Sequence, residues 1–131
     1  MVPGQLTKLY FDGGCRPNPG PIHVAAVLRG AVHLRSDLGV GSSGDAEWRA
    51  LLHALEVAVA AGETDVLLLG DSASVIDQAR GVARRRLPPE HEARFSELAG
   101  SFARLRFRRI KRTQNLAGIA LEQVRRKSPI L

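Results

Sequence analysis

The chain has 131 residues, of which 44% are hydrophobic, and a formal charge of +6, which suits one domain spanning residues 1–131 with a single sizeable core. Its one cysteine, Cys15, excludes an intrachain disulfide and fits a reducing compartment, while the excess of Arg and Lys favours a polyanionic partner. The strongest apolar stretch, Val66 to Leu69, is far too short to span a bilayer, and the first seven residues lack the charged-then-apolar order of a leader, so the expectation is a soluble cytoplasmic monomer with no membrane partner.

Taken in chain order, Lys8 to Phe11 predicts a first strand that delivers Asp12 to its end, where Gly13-Gly14 lets the backbone leave and Cys15 to Gly20 makes a tight turn. An acid at the end of a buried strand is costly unless a cation or hydrogen bonds meet it; taken alone, an Asp before Gly-Gly is a turn residue. His23 to Leu28 predicts a second strand, Arg29-Gly30 a hairpin turn and Val32 to Leu38 a third strand, together an antiparallel meander. Gly39 to Gly44 predicts a flexible loop. Asp45 then caps a helix that Ala61-Gly62 stops. Trp48, Leu51, Leu52, Leu55 and Val59 form its apolar stripe. Glu47, Ala50, Ala54, Ala58 and Ala61 form an adjacent stripe of small residues, from which Glu47 alone would reach past the end of a sheet.

Val66 to Leu69 predicts a strand buried on both faces, central and parallel to a neighbour. Asp71 follows it, at the end where open α/β sheets keep their sites, though Asp71 and Ser72 also suit a helix cap. A short helix from Ala73 to Arg80 comes next, then a loop from Gly81 to Pro89 whose Arg84-Arg85-Arg86 is either a solvated run or a phosphate contact. Glu90 to Gly100 predicts a helix with Ala93, Phe95, Leu98 and Ala99 inward. Leu105, Phe107 and Arg109 alternate with Arg104, Arg106 and Arg108, as in a fifth strand with a basic face. Thr113 to Lys127 predicts a last helix with Leu116, Ile119, Ala120 and Val124 as its apolar stripe. His23, His33, His53 and His91 are expected at the surface, outside any site.

If the strand before Asp71 lies beside the first, Asp12, Glu47 and Asp71 converge. Two carboxylates about 4 Å apart repel by roughly 4 kcal/mol at an effective dielectric near 20. A hard divalent cation cancels that repulsion, and all-oxygen ligands favour Mg²⁺ or Mn²⁺.

Three stretches carry a family resemblance. Asp12-Gly13-Gly14-Cys15-Arg16-Pro17-Asn18-Pro19-Gly20-Pro21 resembles the opening motif of type 1 ribonucleases H. Asp45-Ala46-Glu47-Trp48-Arg49-Ala50-Leu51-Leu52 is similar to that family's helix motif, and Leu68-Leu69-Gly70-Asp71-Ser72 to its third. The resemblance covers essentially the whole chain. It implies an α/β ribonuclease H-like fold, a five-stranded mixed sheet (three antiparallel strands, then two parallel) flanked by helices. It implies metal-dependent endonucleolytic cutting of the RNA strand of an RNA/DNA hybrid, with double-stranded RNA as a further candidate substrate. Asp12, Glu47 and Asp71 are then the catalytic acids holding one or two Mg²⁺ or Mn²⁺ ions, and Gly13, Cys15, Asn18, Ser72, Arg112 and Asn115 are the candidate substrate contacts.

The chain departs from the family at the closing motif, Asn-x-x-Ala-Asp-x-Leu-Ala. Arg112-Thr113-Gln114-Asn115 matches the Arg-x-x-Asn lead-in of the branch without a catalytic-loop His, but Ile119 stands where the fourth acid belongs, a core-type side chain in place of a ligand. Three readings follow: three carboxylates suffice; Glu122, one turn on, substitutes; or catalysis is lost and a nucleic-acid-binding shell remains. Gly44 and Ala73 also replace the family's usual Asn and Gln, which help to read the RNA strand. A resolvase-like relative acting on DNA is a further, weaker alternative.

Overall fold

A computed structural model describes residues 6–82 and 86–127. Its strands are β1 (Thr7–Cys15), β2 (Gly20–Leu28), β3 (Ala31–Arg35), β4 (Val40–Gly41), β5 (Asp65–Gly70) and β6 (Arg104–Arg109). Its helices are α1 (Ser43–Ala60), α2 (Ala73–Ala79), α3 (Pro89–Ala99) and α4 (Leu116–Lys127), with a 3₁₀ turn over Arg112–Gln114. The main sheet runs β3-β2-β1-β5-β6, and β4 pairs with β2 off that path. β1, β2 and β3 are antiparallel; β5 is parallel to β1 and β6 is parallel to β5. This is the mixed sheet that the resemblance implies, with one short strand added.

Alternation along the strands divides the core between the two faces of the sheet. Leu9 and Phe11 of β1, Ile22 and Val24 of β2, and Val66 and Leu68 of β5 pack with Leu51 and Leu55 of α1. On the other face, Tyr10, Ala25 and Val27 meet Ala117 and Leu121 of α4. The small stripe of α1 does what small residues allow: Ala50, Ala54 and Ala58 are fully buried. Trp48 extends this core sideways. It meets Phe95 of α3 edge to face at 5.6 Å, and its indole Nε1 donates to Gln78 Oε1 of α2 at 2.6 Å.

Several expectations change. β1 does not end at Asp12: Gly13 and Gly14 stay paired with Val24 and His23, and only the ladder to β5 stops, at Tyr10. The stretch from Gly39 to Gly44 is not all loop, because Val40–Gly41 pairs with Gly20 and Pro21. The cap of α1 is Ser42, whose hydroxyl accepts from Asp45 N while Ser42 N donates to the Asp45 carboxylate, a capping box in which Asp45 is the inner member. Ala93 is exposed, and His91 with Leu98 forms the buried part of α3. His23, His53 and His91 are buried, against expectation, and only His33 is exposed. The last helix begins at Leu116, and its inward pair is Ala117 and Leu121 rather than Leu116 and Ile119, which are 45% and 43% exposed. On β6, Arg106 is not part of an open basic face, since it donates to Asp65 at 3.1 Å. Arg84 and Arg85 lie outside the described residues.

Candidate active site

The topology sets Asp12 and Asp71 at one edge. β1 and β5 run parallel, so both leave the ladder at their carboxyl ends, Asp12 two positions beyond its last pair with β5 and Asp71 directly after Gly70. Close backbone approach brings α1 over them. A Cβ on Gly13 would lie 2.2 Å from Ala46 O, so only glycine lets the residue beside Glu47 come this near the strand. A Cβ on Gly118, in the first turns of α4, would lie 3.4 Å from Asp12 Oδ2.

The three acids feel one another. Asp12 is pushed up to about 6, first by burial, then by the Asp71 charge, with a smaller push from Glu47; Arg112 and Arg125 oppose the rise. Glu47 is also raised, mainly by burial, with Asp71 adding to it and a hydrogen bond to Ser72 and the Arg112 charge working against it. The Ser72 hydroxyl also accepts from Val75 N at 3.3 Å as the N-cap of α2. All the donors here are carboxylate oxygens and two are held above their ordinary range by crowding and burial, which fits a hard divalent ion. The acids are not packed into direct contact: among the described residues, the group of three ligand-type side chains whose ligand atoms all lie within 4.8 Å of one another is Asp45, Glu90 and His91.

Asn115 holds this edge together. It is fully buried, and its amide donates both to Asp71 Oδ2 at 2.9 Å and to Phe11 O at 3.0 Å. Its own Oδ1 accepts from Ala117 N at 3.1 Å, fastening the start of α4. One side chain thus joins β1, Asp71 and α4. Arg112 lies 4.0 Å from Asp71 with its side chain 78% exposed. Asn18 accepts from Ser43 N at 3.1 Å and donates to the Ser43 hydroxyl, tying the β1–β2 turn to the start of α1. Buried Cys15 points its thiol at Asn18 Oδ1, 3.5 Å away.

The replacement at position 119 looks different in three dimensions. Ile119 is nearly half exposed rather than a core residue, so the change from acid to apolar side chain fills no space in the core. Glu122 turns to Arg16, 3.1 Å away, and does not number among the charges that shift Asp12. Arg125 was missed as a neighbour of the acids. It sits two turns beyond Gly118 on α4, its guanidinium lies against Gly14, and burial lowers its affinity for the proton. That seven-residue spacing is the signal that could have found it.

A family model described as reverse transcriptase-like matches residues 10–122. The bifunctional protein Rv2228c of Mycobacterium tuberculosis is 31% identical over 112 residues, covering 79% of this chain and 31% of that protein. The chain therefore spans about a third of the length of the mycobacterial relatives it matches. Among solved structures, RNase H1 from Halobacterium salinarum NRC-1 superposes with a TM-score of 0.79 at 31% identity, covering 89% of this chain and 94% of that one. LC11-RNase H1 in complex with an RNA/DNA hybrid superposes with a TM-score of 0.74 at 28% identity, covering 88% and 92%.

Proposed function

Because the chain belongs to the ribonuclease H-like family, we propose that it is a metal-dependent endonuclease that hydrolyses the RNA strand of RNA/DNA hybrids. The observation that carries this reading is the trio of Asp12, Glu47 and Asp71, gathered from β1, α1 and the end of β5 at one edge, with Asp12 raised to about 6 by burial and by its two neighbours. These three carboxylates would hold Mg²⁺ or Mn²⁺. When bound, the ion supplies charge for the phosphoryl oxygens and acidifies the attacking water. The chain's own residues set the stage for this. Asn115 fixes the orientation of Asp71, Ser72 steadies Glu47, and Arg112, exposed beside Asp71, offers a phosphate contact. Asn18 keeps the β1–β2 turn against the start of α1, so the acid two residues past the strand ladder and the acid of the helix hold their relation.

A second reading, a nucleic-acid-binding protein with weakened or lost catalysis, is favoured by Ile119, which leaves the start of α4 without a carboxylate toward Asp12. One experiment separates the two. A labelled RNA/DNA hybrid is incubated with Mg²⁺ and with Mn²⁺, using the parent, Asp12→Asn and Ile119→Asp, with duplex DNA, DNA junctions and double-stranded RNA alongside. The first reading expects metal-dependent cutting of the RNA strand by the parent and none by Asp12→Asn. Because Ile119 is exposed, Ile119→Asp should fold normally and speed cutting by about tenfold or more. Binding without cutting by the parent, restored by Ile119→Asp, would establish the second reading; cutting of junctions alone would overturn both.

A further inference from the structure

A second cluster of ligand-type side chains lies where α1 and α3 begin. Asp45 is the inner member of the α1 capping box, and Glu90 and His91 stand in the first turn of α3. One ligand atom from each lies within 4.8 Å of the other two. The His91 ring stacks on Trp48, with centroids 5.8 Å apart and planes inclined by 14°, and the residue is 6% exposed. Its Nε2 is shut off from solvent and has no hydrogen-bond partner. The Asp45 carboxylate, with Oδ1 3.7 Å away, lies beyond hydrogen-bond reach. A buried ring nitrogen without a partner is costly and rare in a native fold. Here it faces the Asp45 carboxylate beside a cavity of about 230 Å³, which Ser42, Asp45, Glu47, Gln78 and His91 help to line.

We propose that Asp45, Glu90 and His91 form a second cation site, separate from the one around Asp12, for a borderline divalent ion of which Zn²⁺ is the best match. One imidazole nitrogen with two carboxylates is a zinc-type donor set, whereas Mg²⁺ and Ca²⁺ prefer oxygen alone. Zinc–ligand distances of roughly 2.0–2.2 Å require the three groups to close in slightly, which exposed Glu90 does by a side-chain rotation. The cavity leaves a remaining coordination position for water. A filled site would pin α3 to the first turn of α1, two residues from Glu47. The inference stands whether or not the chain is a nuclease.

The test is Zn²⁺ titrated into the protein by calorimetry, in an Asp12→Asn/Asp71→Asn background that removes two of the three acids around Asp12. One Zn²⁺ per chain should bind, excess Mg²⁺ should not displace it, and the ¹⁵N resonance of the His91 ring should shift. Glu90→Gln should weaken binding by about tenfold or more, and His91→Gln should remove it. His91→Gln also loses the stacking on Trp48 and could fail to fold, but Glu90 is exposed and its variant keeps the test decisive. No Zn²⁺ binding in this background, or binding that Glu90→Gln leaves unchanged, would overturn the proposal.

Discussion

Asp12 stays ionised at neutral pH against the pull of its surroundings. Its pKa of about 6 in the folded chain, against 3.8 for the ordinary group, means that the folded state holds the proton more tightly than the unfolded one. Stability from this group is therefore fully present below pH 3.8 and is lost as pH rises through 6. Each tenfold change in proton affinity is worth about 1.4 kcal/mol, so the ionised carboxylate costs the metal-free protein at most roughly 3 kcal/mol at pH 8. Asp12→Asn should raise the metal-free melting temperature at pH 8 and change it little near pH 4, while millimolar Mg²⁺ should raise that of the parent and not of the variant. Thermal melts across pH, with and without Mg²⁺, check this; parallel curves for the two proteins would show that the acids do not burden one another. That the acids fall near one another was legible because each belongs to a short recognisable motif, although Asp12 lies inside β1 rather than at its end and Glu47 lies past the first turn of α1. Asn115 was legible only as a candidate contact, because its hydrogen bonds reach 104 positions back to Phe11 and 44 back to Asp71. His91 was misplaced for the same reason, since its ring is buried by Trp48, which is far from it in sequence.

Between elements, the contact that matters most to the site is that of β1 with α1, and it is backbone against backbone. At Gly13 a methyl group would meet Ala46 O at 2.2 Å and Ala50 Cβ at 2.9 Å, neither of which can rotate aside. Gly13→Ala should therefore force α1 away from the strand, costing about 1–3 kcal/mol and lowering cutting, because Glu47 follows Ala46. Gly14→Ala is the comparison. There the nearest atom is the end of the Arg125 side chain, at 2.9 Å, which can shift, so the loss should be smaller. Urea midpoints of the two variants measure the difference, and equal losses would refute the close-packing account. The order and kind of the elements were legible from periodicity, but their edges were not always. Ser42 and Asp45 are both good caps, three residues apart, and the chain uses them as a reciprocal pair, so either one alone was a fair choice. β4 is two residues long and exists only through its pairing with Gly20 and Pro21, which no local pattern announces. Along α4, Leu116 and Ile119 compete with Ala117 and Leu121 for the inward face. Size favours the first pair, but the sheet there presents Ala25 and Val27, and the buried side chains are Ala117 and Leu121.

At the scale of the molecule, the charge of +6 is best understood through direction. Because β1, β5 and β6 are parallel, the carboxyl end of β6 reaches the same edge as Asp12 and Asp71, and Arg108, Arg109, Lys111 and Arg112 are exposed there. An acidic centre thus has a basic border: the centre attracts cations and the border attracts phosphates. On the proposed function, such an arrangement reconciles three acids with a polyanionic substrate, the border supplying the binding. Affinity for an RNA/DNA hybrid should then fall with salt, with a log–log slope near −0.9 for each phosphate neutralised, taking the duplex value. Arg109→Ala with Lys111→Ala should weaken binding to all sequences alike and flatten that slope by about 2. Arg94→Ala is the control, since Arg94 on α3 is engaged with Glu56 at 2.8 Å, toward the other end of α1 from Glu47; it should leave the slope unchanged. Fluorescence anisotropy over a salt series, with the Asp12→Asn background to prevent cutting, reads both slopes. If the control flattens the slope as much as the double variant, binding depends on net charge alone and the border at the sheet edge has no special part in it.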